Sequence, residues 1–229
     1  MRAFLYPQKG HDMQLRIFST HTSRPVTVTL SDERRALANA LSILDRETVT
    51  GLDIDDCPDE RLPKNLSAFP NLASLKLTRC HAISGVSQEL TSCPALRDLA
   101  LIQCADFCDV SGIARCPALR AFHACGCDGL QAFSPDAPLP DALLALDLSH
   151  TPSLEWIALE KLPPSLRILD VHGCPNLNFE DSAVLRLHLV STQIQDLSRP
   201  EVLEHAAPVG PDHLRRAMMR GDSAGLDDG

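Results

Sequence analysis

Apolar residues recur along most of the chain in one frame, clearest in Pro164-Ser165-Leu166-Arg167-Ile168-Leu169-Asp170-Val171-His172-Gly173-Cys174, which reads P-x-L-x-x-L-x-L-x-x-C. The unit opens at residue 49 with Val49, Leu52, Ile54 and Cys57. It returns as Leu72, Leu75, Leu77, Cys80, then Leu96, Leu99, Leu101, Cys104, then in degenerate form as Leu119, Phe122, Ala124, Cys127. Leu143, Leu146, Leu148, Thr151 and Leu166, Leu169, Val171, Cys174 continue it, and Val184, Leu187, Leu189, Thr192 give a seventh copy. Measured at the second apolar position (52, 75, 99, 122, 146, 169, 187), the steps are 23, 24, 23, 24, 23 and 18 residues. A short last step is expected of a terminal repeat that has lost its outer segment. Each unit reads as a turn feeding a short strand: Leu166, Leu169 and Val171 drop inward, while Ile168, Asp170 and His172 point the other way.

The flanks follow other periods. Gln14–Phe18 and Pro25–Leu30 are strand-like runs joined by a Ser/Thr-rich link, which predicts a hairpin. Ser31 precedes Asp32 and Glu33 as an N-cap, and Leu37, Leu41 and Leu44 set a helical stripe to about Arg46. A solenoid exposes an apolar end unless something covers it, so residues 1–48 are expected to be an N-terminal cap, 49–197 the repeats and 198–229 a C-terminal cap with a flexible tail. Around Pro208 and Pro211 two short helices are expected, followed by a polar, unstructured end.

One such unit cannot bury its leucines alone, whereas stacked units share a continuous core. The frame resembles that of the leucine-rich repeat family over about residues 49–197. That resemblance implies an α/β solenoid, a curved horseshoe with a parallel sheet on its concave face. The junctions Cys93-Pro94-Ala95-Leu96 and Cys116-Pro117-Ala118-Leu119 resemble cysteine-containing repeats. Leu139-Pro140-Asp141-Ala142-Leu143 and Leu162-Pro163-Pro164-Ser165-Leu166 are similar to the L-P-x-x-L repeats of bacterial, type III secreted effectors. The family's ladder asparagine is replaced throughout by Cys or Thr, so weaker donors are expected to serve the turn after each strand. What the resemblance implies about activity is recognition of a partner protein by a monomer that catalyses nothing, possessing no cofactor and acting in the bacterial cytoplasm or, as an effector, in a host cytosol.

Composition narrows this picture. Only one Trp and one Tyr stand among 44% hydrophobic residues, so the core is aliphatic. A net charge of -9 argues against general affinity for nucleic acid or anionic lipid, while leaving room for a local basic patch. No apolar run has the ~20 residues of a membrane span, and Met1–Lys9 lacks the apolar core of a secretory signal, so any export is expected to use another route. Nine cysteines, mostly at equivalent repeat positions, read as reduced structural thiols rather than a disulfide framework.

The outward residues follow from the alternation. A central column should hold Asp53, Lys76, Ala100, His123, Asp147, Asp170 and His188; the columns beside it include Asp98, Ala121, Ala145, Ile168 and Arg186 on one side, and Asp55, Ile102, Cys125, Ser149 and His172 on the other. The expected partner surface is Asp53, Lys76, Ala100, Ile102, His123, Asp147, Asp170, His172, Arg186 and His188, an apolar spot beside charged neighbours. Sharper chemistry is weaker. His123-Ala124-Cys125-Gly126-Cys127 offers a metal or thiol reading, but Cys127 occupies the inward ladder position and i, i+2 strand neighbours lie about 7 Å apart. Cys104-Ala105-Asp106 matches the C-x-D motif of effector ubiquitin ligases, yet Cys104 also belongs to the ladder. The alternative to a free-standing binder is the substrate-recruiting part of such a ligase; the roughly 30 residues after Leu197 are expected to be too few for its catalytic domain.

Overall fold

The computed structural model describes residues 12–22, 24–30, 36–62, 64–86, 90, 93–178 and 193–195. The predicted hairpin forms from β1 (Met13–Ser19) and β2 (Val26–Leu30), antiparallel with Arg16 opposite Thr27. Met13, Leu15 and Ile17 face the core. The helix α1 (Ala36–Ser42) buries Leu37 and Leu41 and stops at Ser42, short of Arg46. There the Ser42 hydroxyl donates to the Asn39 carbonyl (2.7 Å) and the Leu44 N–H to that of Leu41, a tightened turn that ends the helix. Ser31, the expected N-cap, lies outside the described residues.

The repeats supply β3 (Val49–Asp55), β4 (Ser74–Thr78), β5 (Asp98–Ile102), β6 (Ala121–Cys125), β7 (Ala132–Phe133), β8 (Ala145–Asp147), β9 (Trp156–Ile157), β10 (Ile168–Asp170) and β11 (Gln193–Gln195). Among the described residues one nine-stranded sheet runs in the order β2-β1-β3-β4-β5-β6-β8-β10-β11. From β3 onward all neighbours are parallel and in register, so Leu52, Leu75, Leu99, Phe122, Leu146 and Leu169 stand side by side. Every one of them is buried. β1 pairs antiparallel with β3 and occupies the edge of the first repeat strand, as an edge that must be covered requires. This is a solenoid of the leucine-rich-repeat kind, recognisable from its own register.

The seventh repeat falls elsewhere than its leucines suggest. Ile194, not Leu187, is the partner of Leu169, so the last step in register is 25 residues. The apolar spacing of Val184–Thr192 reproduces the frame, but strand pairing follows backbone hydrogen bonds, and Gln193-Ile194-Gln195 carries a single apolar residue that periodicity cannot detect. Val184–Thr192, including Arg186 and His188, lie outside the described residues, as do the expected C-terminal helices and tail.

Two structural ladders run along the stack. The inward Cys or Thr after each strand donates to the carbonyl one repeat back: Cys80 to Ile54 (3.6 Å), Cys104 to Leu77 (3.8 Å), Cys127 to Leu101 (3.5 Å), Thr151 to Ala124 (3.0 Å) and Cys174 to Leu148 (3.1 Å). A second ladder appears at the residue after the third outward position. Asp56, Arg79, Gln103, Gly126, His150 and Gly173 all have φ between 51° and 74°. In five of them the backbone N–H continues the sheet pairing, for example Gln103 to the Cys125 carbonyl at 2.8 Å. The left-handed residue turns the chain away from the sheet at the same point in every repeat.

The return segments combine short 3-10 turns (Lys64–Ala68, Ser111–Arg115, Leu159–Lys161) with a regular feature of their own. Gly85 bridges Asp109, and β7 pairs in parallel with β9, each ten residues past the second inward position of its repeat. The degenerate fourth repeat is volume-compensated: Phe122 replaces a leucine while Ala124 replaces its neighbour, and Phe122 packs between Phe107 and Phe133 with ring centroids 6.5 and 6.0 Å away.

Candidate functional site

The face opposite the leucines carries the outward columns. Along the middle, Asp53 neighbours Lys76, Lys76 neighbours Ala100, Ala100 neighbours His123, His123 neighbours Asp147, and Asp147 neighbours Asp170. The face also extends further than the repeats do. Gln14, Arg16 and Phe18 of β1 stand opposite Asp55, Asp53 and Gly51 and share their side of the sheet, with Phe18 packed so closely over Gly51 that a Cβ there would meet it at 3.3 Å. The signal for this was the alternation Gln14-Leu15-Arg16-Ile17-Phe18, which reads as a cap strand unless the continuity of its outward side is followed.

Charges at the hairpin end are matched locally. Arg16 lies 3.8 Å from Asp53, and the Arg79 guanidinium joins Asp55 and Asp56, the latter at 3.2 Å through Nε. Next comes the apolar centre expected from the sequence, where Ala100, Ile102 and Ala121 are half-buried on adjacent strands.

Beyond it the face becomes polar and closed. Asp147 is buried, with Oδ2 3.3 Å from His123 Nδ1 and Oδ1 accepting the Ser149 N–H at 2.9 Å. With its proton on Nδ1, the imidazole donates to this carboxylate. Burial works to raise the Asp147 pKa, but His123 and the Ser149 donors outweigh it and hold the carboxyl below its ordinary value. Asp170 repeats the local motif by accepting the His172 N–H at 3.0 Å. These Asx turns end β8 and β10 after three residues where β4, β5 and β6 run for five. Asp98 sits in the opposite condition: burial pushes its carboxyl up, opposed by His123, Arg120 and Arg97. His172 meets His150 edge-on at 5.1 Å, and its buried Nδ1 has no hydrogen-bond partner among the described residues.

The predicted residues thus fall into three groups. Asp53, Lys76, Ala100, Ile102, His123, Asp170 and His172 are placed on one face; Asp147 shares it but is 6% exposed and engaged by His123 and Ser149; Arg186 and His188 lie outside the described residues. His123 faces Asp147, while the Ser149 hydroxyl donates to Cys125 Sγ at 3.3 Å, so the imidazole and the thiol are turned to different partners. Among the described residues no three His, Cys, Asp or Glu side chains converge as a metal centre requires. Cys104 is fully buried, donates to Leu77 and Ile102, and has its pKa pushed up to about 12, chiefly by its contact with Cys127 with burial adding to it. That is the reverse of an activated nucleophile. No helix among the described residues is long and apolar enough to cross a membrane.

No protein-family model matches the chain, and no curated protein matches it. Similar solved structures include a leucine-rich-repeat protein of Leptospira interrogans, 16% identical with a TM-score of 0.32, which covers 59% of this chain and 46% of its own. An internalin of Listeria monocytogenes is 14% identical with a TM-score of 0.24, covering 79% and 75%. The chain spans less than half the length of the Leptospira protein.

Proposed function

We propose that the chain is a non-catalytic protein-interaction module that binds a partner protein through the open face of its sheet. The observation that carries this reading is the division of labour within each strand. Inward positions repeat as buried leucines or their equivalents, whereas outward positions change from repeat to repeat and set the half-buried Ala100, Ile102 and Ala121 between Lys76 and the His123–Asp147 pair. A rigid, apolar centre ringed by polar groups is the layout in which a few desolvated contacts dominate binding energy. A role as a bacterial effector acting on a host protein is the finer reading, supported by the L-P-x-x-L junctions at Leu139–Leu143 and Leu162–Leu166.

The test is affinity capture of a protein partner with two variants of the full chain. Lys76→Glu combined with Ile102→Arg changes only outward, partly exposed side chains, so capture should be lost while circular dichroism stays unchanged. Trp156→Arg, on the opposite side of the solenoid and half exposed, should leave capture intact. Capture that survives the first variant and fails with the second would reject the open face as the binding surface.

A further inference from the structure

A third line of side chains borders the open face at the point where each chain enters its strand. The residue preceding the first outward position in successive repeats is Thr50, Ala73, Arg97, Arg120, Leu144 and Arg167. Their backbones are tied one to the next: Ala73 N–H to Thr50 O (2.8 Å), Arg97 to Ala73 (2.8 Å), Arg120 to Arg97 (2.7 Å), Leu144 to Arg120 (2.8 Å) and Arg167 to Leu144 (2.8 Å). The row is therefore held at the rung spacing of about 4.8 Å. All three arginines are exposed, and among the described residues none of them is in an ion pair. Asp98 is the carboxylate that feels the charges of His123, Arg120 and Arg97. In a chain with a net charge of -9, this is a basic edge on an acidic molecule.

We propose that this edge binds an extended acidic segment of a partner protein, with carboxylates on the Arg97–Arg120 pair and on Arg167 and an apolar side chain between them over Leu144. The spacing carries the pattern. From Arg97 the row reaches Arg120 at about 5 Å, Leu144 at about 10 Å and Arg167 at about 14 Å. An extended peptide crossing the rungs presents side chains on one face at about 0, 7 and 14 Å, which places acids at the first and fifth residues and an apolar group at the third. Leu144, Pro164, Ser165 and Arg167 line an open cleft at that middle position. Guanidinium forks match carboxylates in paired, charge-assisted bonds. Nucleic acid fits less well, since three arginines release few counterions and the surrounding net charge of -9 repels a long polyanion. This surface is independent of the binding role proposed for the sheet face.

The experiment is fluorescence anisotropy on the full chain at low salt, with a labelled peptide Gly-Ser-Glu-Thr-Val-Thr-Glu-Ser-Gly as probe. The wild type should bind it, and should ignore the peptide with Lys in place of both Glu. Arg97→Gln with Arg120→Gln should weaken binding by about ten-fold or more and lower the steepness of its salt dependence; Arg167→Gln should weaken it separately. Lys76→Glu with Ile102→Arg should leave it unchanged, which separates failure here from failure of the sheet-face reading. No binding by the wild type, or binding indifferent to all three arginines, would overturn the proposal. So would an oligothymidylate that binds more tightly than the peptide in the same Arg-dependent way.

Discussion

The hydroxyl of Thr151 donates to the carbonyl oxygen of Ala124 at 3.0 Å, the bond that Cys80, Cys104, Cys127 and Cys174 make with a thiol in other repeats. A hydroxyl is the stronger donor, and all these carbonyls sit where water does not reach them. Thr151→Val should therefore destabilise the fold by about 1–3 kcal/mol, while Cys104→Ala should cost less from lost hydrogen bonding because its contact is longer. Cys104→Thr should be neutral or stabilising if the extra donor strength exceeds any repacking. Urea denaturation midpoints of the three variants check the order.

The left-handed column makes a prediction about backbone rather than side chains. At Gly126 (φ 67°) any Cβ is strained and would also meet the Gln103 side chain at 3.4 Å. Gly126→Ala should cost about 1–2 kcal/mol. The converse change, Gln103→Gly, removes an exposed side chain from a left-handed residue (φ 56°) and should raise the thermal midpoint slightly. Equal tolerance at both positions would contradict the ladder.

Acid should reveal the Asp147 network. Its folded pKa lies below the ordinary 3.8, so the ionised carboxylate contributes stability that is fully present above that value and is lost as pH falls through the folded one. Asp147→Asn should therefore be destabilising near neutral pH and should approach the wild type as pH drops below about 4. Unfolding free energies measured across that range give the test; a gap that is constant with pH would mean the carboxylate's charge does not matter.

Thiol reactivity distinguishes structural cysteines from a reactive one. Seven of the nine are buried, Cys108 is exposed and Cys125 intermediate. Burial pushes Cys93 and Cys116 up to about 11, and contact within the ladder, together with burial, takes Cys80 to about 12. Titration of the native protein with a chromogenic disulfide should label Cys108 first and Cys125 more slowly, releasing the other seven only in denaturant. Faster labelling of Cys125 than of Cys108 would revive a nucleophile in the open face.

The inward half of the fold was legible because burial imposes one apolar residue type at a fixed spacing, as at Leu75, Leu99 and Leu146, and the outward half followed by alternation. Three features were not. Ile194 stands alone between glutamines, so the last strand leaves no periodic trace and Leu187 looks like the better candidate. The left-handed column shows as glycine only at Gly126 and Gly173; Asp56, Arg79, Gln103 and His150 hide it behind ordinary side chains. Asp147 reads as an available charge, yet it is buried: the Ser149 N–H two residues on closes a local turn onto one oxygen and His123, its neighbour in the predicted column, meets the other, and the column places the two residues side by side without showing that their side chains engage each other.

Amide hydrogen exchange of the chain with and without its captured protein partner tests the proposed binding face most directly. Slowed exchange should appear in Ser74–Thr78, Asp98–Ile102 and Ala121–Cys125 and at their following turns, with Ser111–Arg115 and Trp156–Ile157 unchanged. Protection confined to those return segments, with the sheet strands unaffected, would contradict the account.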